Sequence, residues 1–337
     1  MFVKQAAVFI SFNEKKTLMS KAKTRVLGGV ASPLLVLGLG ILAVSTASLM
    51  IRFAQREASS LVIAAGRMAV ATLVIAPFAF FFHREELSAL PKKKVGLLVL
   101  GGCFLGFHFA AWITSLEFTS VASSVVLVTT APLWVAIFAP LILKEKITRS
   151  LEVGLIIALA GSVIVTMNSN CQFAGGQLAC DGFNQVFQGR AFIGNALALL
   201  GAFLSAGYLM VGRMARGNLS LTAYAFVVYG VAAFVLVVLV IITGKAVIGL
   251  HPLTYVWLIA LGLIPQLIGH SSFNWALKYL PATYVSIALL GEPVGTVILA
   301  YFFLAEAPSI IEIIGGMMIL TGILLSSQAR RPEYIEE

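Results

Sequence analysis

The sequence predicts an all-α membrane protein of ten transmembrane helices, arranged as two inverted repeats of five helices each. Three observations lead there. The 337-residue chain is 60% hydrophobic and only 11% charged, with a mean hydropathy of +0.99, far above what a soluble core needs. Its apolar residues gather in stretches of roughly 20, the length that crosses a hydrocarbon core about 30 Å thick. The second half also repeats special residues of the first at a fixed offset of 161 positions.

Residues 1–32 read as a cytoplasmic tail. The opening "MFVKQAAVFISFNEKKTL" has a short, interrupted apolar run with no small-residue cleavage site after it, unlike a signal peptide, and Met19 is an alternative start. Ten apolar stretches follow at about 33–53, 60–82, 95–116, 120–143, 150–168, 191–212, 221–243, 254–277, 282–304 and 309–327. Residues 33–168 thus form a first repeat, 169–190 an external loop, 191–327 a second repeat and 328–337 a cytoplasmic C-terminal tail. The connections leave no room for a soluble catalytic domain.

The charges orient this arrangement. Of 23 Lys and Arg, Arg52, Arg56, Arg190 and Lys245 fall outside and Arg67 falls within the second span, which leaves 18 on the side of the N-terminus. The positive-inside rule then puts both termini in the cytoplasm of a plasma-membrane protein, and it explains the net charge of +9 without nucleic acid as a partner. "PKKK" at 91–94 reads as a headgroup anchor. Cys103 belongs to the third span as a small buried hydrophobe. Cys171 and Cys180 share the external loop, where an oxidising surrounding makes a disulfide between them plausible beside two free thiols.

The offset brings Gly101 onto Gly262, Pro132 onto Pro293, Glu145 onto Glu306, Gly154 onto Gly315 and Gly161 onto Gly322, and earlier Gly40 onto Gly201 and Arg52 onto Arg213. Five spans per repeat is odd, so the second copy enters the membrane from the opposite face. Inverted duplications of this kind support alternating access around a site near the membrane midplane. "PLWVAIFAPLILKEKITRSLEVGLIIALAGSVIV", with Pro132, Glu145, Gly154 and Gly161, resembles the signature of EamA-type members of the drug/metabolite transporter superfamily. "EPVGTVILAYFFLAEAPSIIEIIGGMMILTGILL" carries it again. The resemblance covers about residues 33–327, and Arg67 is similar to an arginine frequent in that family. It implies a secondary transporter, exporting small organic metabolites such as amino acids through a cavity lined by spans 1, 3, 4, 6, 8 and 9. The external loop is longer than the family usually has.

A charge near the bilayer centre costs on the order of 2.5–3.5 kcal/mol, so each polar group at depth needs a partner, a cavity or a function. Glu292 lies near the middle of the ninth span; it is either a coupling or substrate-contacting carboxylate or a protonated group locking helices beside Pro293. Its counterpart is Ala131, so the repeat itself does not require the acid. Pro132 and Pro293 each delete a backbone hydrogen bond and predict a bend, acting as hinge or as fixed kink. Arg67 is expected as a structural charge that snorkels outward or pairs with a carboxylate, in preference to direct substrate contact. His108 and Trp112 make one helical stripe and His270, Asn274 and Lys278 another, with Trp275 beside it. These are ligand contacts or polar glue between helices. Tyr208, Ser123, Ser124, Thr129 and Thr130 are weaker candidates, and Glu117 and Lys278 read as solvated boundary charges.

No ligand spacing for a metal, no nucleophile arrangement and no phosphate loop is present in the sequence. The expectation is therefore a non-enzyme without cofactor whose partners are a small-molecule substrate, the lipid bilayer and protons. An intramembrane enzyme acting on a lipid-linked substrate is the alternative, although the long loop carries only Asp181 and Arg190 as charges; a non-transporting sensor is another.

Overall fold

A computed structural model describes the backbone at residues 32–119, 124, 127–168, 171–174, 177–180, 189–304 and 310–328. The two tails, Ser123, Glu306 and the side chains of Cys171 and Cys180 lie outside the described residues.

The chain is helical apart from one hairpin among the described residues. Helices α1 (Pro33–Ser45) and α2 (Ala47–Ala54) are followed by α3 (Ser60–Phe82), the short α4 (Arg84–Ser88), α5 (Lys92–Ser115), α6 (Ala131–Ile142) and α7 (Arg149–Asn168). Strands β1 (Cys171–Ala174) and β2 (Gln177–Cys180) pair antiparallel, with Cys171 opposite Cys180. This departs from a purely α chain, and the Gly175–Gly176 dipeptide between the strands is the type that closes two-residue hairpins. Then come α8 (Gly189–Ala215), α9 (Leu221–Ile242), α10 (Pro252–Leu261), a π-helical segment (Gly262–His270), α11 (Ser271–Ala276), α12 (Ala282–Leu289), α13 (Glu292–Leu304) and α14 (Ile310–Gln328). Among the described residues, six stretches are long and apolar enough to cross a membrane unaided: 33–54, 60–82, 92–115, 190–215, 221–242 and 252–276. Helix 131–142 and the apolar part of α14, 313–326, are shorter.

The duplication is visible in the helix limits. Starts at 60, 131 and 149 recur at 221, 292 and 310, and ends at 54 and 115 recur at 215 and 276, each 161 residues on. The two copies interlock: α1 packs on the π segment and α11, α5 on α8, α3 on α9, and α7 on α14. Most of the long helices of one repeat therefore bury a face against the other. The crossing of α7 and α14 explains the paired glycines. A Cβ added at Gly161 would lie 2.6 Å from the Gly315 carbonyl oxygen, and one at Gly322 would lie 2.5 Å from that of Gly154. The two motif copies pack on one another, backbone against backbone.

Expected continuous spans are interrupted in four places. The first breaks at Thr46, the fourth at Thr129–Thr130, and the ninth at Leu290–Gly291, while the eighth contains the π segment around Pro265. Pro132 and Pro293 consequently are not mid-helix kinks. Each is the second residue of a new helix, where its missing N–H has no intrahelical role and its fixed φ suits the first turn. Glu292 likewise begins a helix.

Four helix starts are held by carboxylates from other segments. Glu117 Oε1 accepts from the Ser60 N–H at 3.0 Å, Glu86 Oε1 from Ser220 at 2.7 Å, Glu57 Oε2 from His251 at 2.9 Å and Glu145 Oε1 from Ala282 at 3.1 Å. The orphan N–H groups and positive dipole end of a helix favour an anion there. Glu117, expected as merely solvated, is thus a cap. Glu145 also takes hydrogen bonds from Arg213 Nε at 3.2 Å and Thr283 Oγ1 at 3.3 Å, and Lys144, with φ of 55°, turns the chain so that it can. Burial raises the Glu86 carboxyl, but hydrogen bonds from the Ser220 hydroxyl and amide and from His83 outweigh it and hold it below its usual value.

Candidate functional site

A cavity of about 70 Å³ lies between the repeats. Both interrupted helices open onto it: Thr129, Ala131 and Pro132 from the start of α6, and Leu290 and Glu292 from the start of α13. The backbone fixes Glu292 closely. Ser45 Oγ donates to the Glu292 carbonyl at 2.9 Å, and Thr296 Oγ1 donates to the same carbonyl at 3.0 Å and to that of Ser45 at 3.2 Å. The end of α1 and the first turn of α13 are thereby tied.

Helix α5 supplies the aromatic wall. His108 and Trp112 are one turn apart and stack with centroids 6.0 Å apart and planes within 11°. His108 Nδ1 lies 2.8 Å from the Gly201 carbonyl, which fixes the ring against α8. The bare Cα of Gly201 lets α5 approach: a Cβ there would be 3.2 Å from Trp112 Cβ. Phe109, also in the lining, packs edge to face on His270 with centroids 5.3 Å apart.

Arg67 corrects an expectation. It does not snorkel, being 1% exposed and lining the cavity. Its guanidinium lies over the Phe109 ring, 4.2 Å from the centroid. Its Nε donates to Gln266 Oε1 at 2.8 Å. Gln266 comes from the π segment, 199 residues away in sequence. The extra residue per turn of such segments often redirects side chains at functional positions.

The structure thus brings Glu292, His108, Trp112, His270, Pro132 and Arg67 to one cavity, together with Phe109, Ser205, Phe273 and Ser286. Pro293 is buried and is not in the lining. Tyr208, Asn274 and Trp275 are not in its lining. Tyr208 donates to Asn274 Oδ1 at 2.7 Å, Asn274 Nδ2 donates to Tyr229 Oη at 3.1 Å, and Tyr229 Oη lies 3.0 Å from Ser271 Oγ. This buried network joins α8, α9 and α11 as interhelical glue. Trp275 packs on Tyr279 at 4.6 Å. Tyr229 had a legible signal, since a tyrosine inside the most apolar stretch needs a partner for its hydroxyl.

Two regions of the chain, residues 31–167 and 192–328, match the EamA-like transporter family. An uncharacterized transporter, YyaM, of Bacillus subtilis is 26% identical over 276 residues, covering 80% of this chain and 86% of that protein. An uncharacterized transporter of Archaeoglobus fulgidus is 24% identical over 237 residues, covering 69% of this chain and 75% of its own length. A solved crystal structure of a protein superposes with a TM-score of 0.71 at 17% identity, covering 90% of this chain and 99% of that one, and so shares the fold.

Proposed function

This chain belongs to the EamA-like transporter family, an integral membrane protein, and on that footing we propose that it exports small organic metabolites such as amino acids across the plasma membrane by alternating access. In this reading the segments 33–168 and 191–327 are two inverted five-span repeats, giving ten spans with both termini cytoplasmic. The short helices α6, α12 and α13 complete spans broken at the cavity. Discontinuous helices whose starts face a midplane site recur in secondary transporters.

The observation that carries the reading is Glu292. It is an acid at the start of an interrupted helix, lining a cavity to which both repeats contribute. A carboxylate so placed can bind a proton in one conformation and release it in the other, and so couple the proton gradient to substrate. The test is uptake into proteoliposomes under an imposed pH gradient. Glu292→Gln should abolish gradient-driven flux while the purified variant remains folded; undiminished gradient-driven flux would sink the coupling role. Outside the bilayer, the Cys171–Cys180 disulfide is supported by the register of the hairpin, because antiparallel partners stand about 4.5–5.5 Å apart at Cα, within the range a disulfide spans. Mass spectrometry of non-reduced protein that finds two free thiols would reject it.

A further inference from the structure

Two buried donors of the cavity lining make no hydrogen bond among the described residues. Arg67 Nη1 and Trp112 Nε1 are both buried and find no hydrogen-bond partner among the described residues. The two residues are 1% and 7% exposed, and both line the cavity. Each orphan is a donor only. Gln266 engages Arg67 through Nε, and Phe109 supports the flat face of the guanidinium, so the fork is held while Nη1 is left for something else. Among the described residues the ion pairs are His83–Glu86 and Glu145–Arg213; Arg67 and Glu292 share the cavity without touching. A buried cation with an open donor is stabilised most by an anion that accepts its hydrogen bond.

We infer that the cavity binds a solute bearing a carboxylate, which Arg67 Nη1 grips while Trp112 Nε1 donates to an acceptor of the same solute and the stacked His108–Trp112 face carries its apolar part. The inference rests on the reading of this cavity as the transport site. Size agrees with a small solute. At roughly 10–15 Å³ per water the cavity of about 70 Å³ takes about five to seven waters, and at about 30 Å³ of liquid each they fill on the order of 150–200 Å³. That is the bulk of a medium-sized amino or organic acid. Glu292 sets the sign of the rest of the ligand, because its carboxylate repels a second negative charge and accommodates an ammonium group.

The test uses the full chain, purified in detergent, with intrinsic tryptophan fluorescence and thermal unfolding as readouts. The probes are leucine and phenylalanine, 4-methylpentanoate and 3-phenylpropanoate, the two amino acids' carboxamides, and their decarboxylated amines. Carboxylate-bearing probes should bind at least tenfold more tightly than the carboxamide or amine of the same skeleton, the discrimination expected when a charged acceptor is removed from a buried donor. Arg67→Gln should erase that discrimination. Trp112→Phe keeps an aromatic face while removing the N–H together with the five-membered ring, and so, read by thermal unfolding, should weaken the carboxylate-bearing probes about three- to tenfold without unfolding the protein. Equal binding of carboxamides or amines, discrimination that survives Arg67→Gln, or a panel in which no carboxylate binds would each overturn the inference. Failure of the transport reading looks different: carboxylates would bind with the stated discrimination and yet not cross a proteoliposome membrane.

Discussion

Replacing Gly161 by alanine tests whether the repeated glycines exist for the crossing of α7 and α14. The new Cβ would lie 2.6 Å from the Gly315 carbonyl oxygen, 2.9 Å from the Ile319 nitrogen and 2.9 Å from Met318 Cβ. Ordinary contacts begin near 3.4 Å, so the helices must part by about 0.8 Å. Two of the three obstacles are backbone, which cannot rotate away as a side chain would. Overpacking of this kind costs about 1–3 kcal/mol, and we expect the upper half of that range for Gly161→Ala and for its repeat mate on the facing helix, Gly322→Ala, whose Cβ would meet Gly154 and Ala158. Gly38 in α1 provides the control because nothing lies within 4 Å of its added Cβ. Alanine there gains up to about 1 kcal/mol in helix propensity with no clash. The variants should therefore move the unfolding temperature of the detergent-solubilised protein in opposite directions. A Gly161→Ala protein as stable as Gly38→Ala would show that these glycines are not kept apart from a Cβ by packing.

Glu145 and Arg213 should couple by about 1–2 kcal/mol in a double-mutant cycle of Glu145→Gln and Arg213→Gln read by thermal unfolding. At 13% and 28% side-chain exposure they sit between the weak surface and strong buried limits; additive effects would refute the pair. Glu86 has a depressed pKa, so its stabilisation is present above the unfolded value near 4.3 and is lost as pH falls through the lower folded value. The stability gap between wild type and Glu86→Gln should accordingly be full at pH 7 and close in acid, and a gap that widens on acidification would contradict the hydrogen-bond geometry. Moving the acid to its repeat mate, Ala131→Glu in the Glu292→Ala background, should restore part of the gradient-driven uptake that Glu292→Ala loses. Uptake no higher than in Glu292→Ala alone, with the protein folded, would mean that the two positions are not interchangeable across the cavity.

Helix limits were legible because the signals are local. The apolar runs and the 161-residue recurrence place the observed ends within a few residues for most segments. The interruptions were not legible, since a proline in an apolar run announces a bend and a helix start equally well; what decides is whether the preceding residues keep their helical bonds. The burial of Arg67 was not legible for a related reason. The choice between snorkelling and burial depends on Gln266, which arrives from the other repeat through a π segment that only Pro265 hints at. The aromatic stripe of α5 was readable from spacing alone, whereas the stripe in the eighth span divides: His270 faces the cavity, Asn274 faces Tyr208 and Tyr229, and Lys278 is exposed.

The separation of Glu292 from Pro293 follows from the same geometry. The prolines do one job in both halves, starting a helix at the cavity after a break. A helix start presents unpaired N–H groups and the positive end of the dipole. In the first repeat that end carries Ala131 and no compensating charge of its own, while in the second it carries Glu292. Two related helix starts thus face one cavity with unlike electrostatics, and the buried cation of that cavity, Arg67, comes from α3 of the first repeat. The repeated backbone supplies two related helix starts at the cavity, and their unlike charges distinguish its two sides.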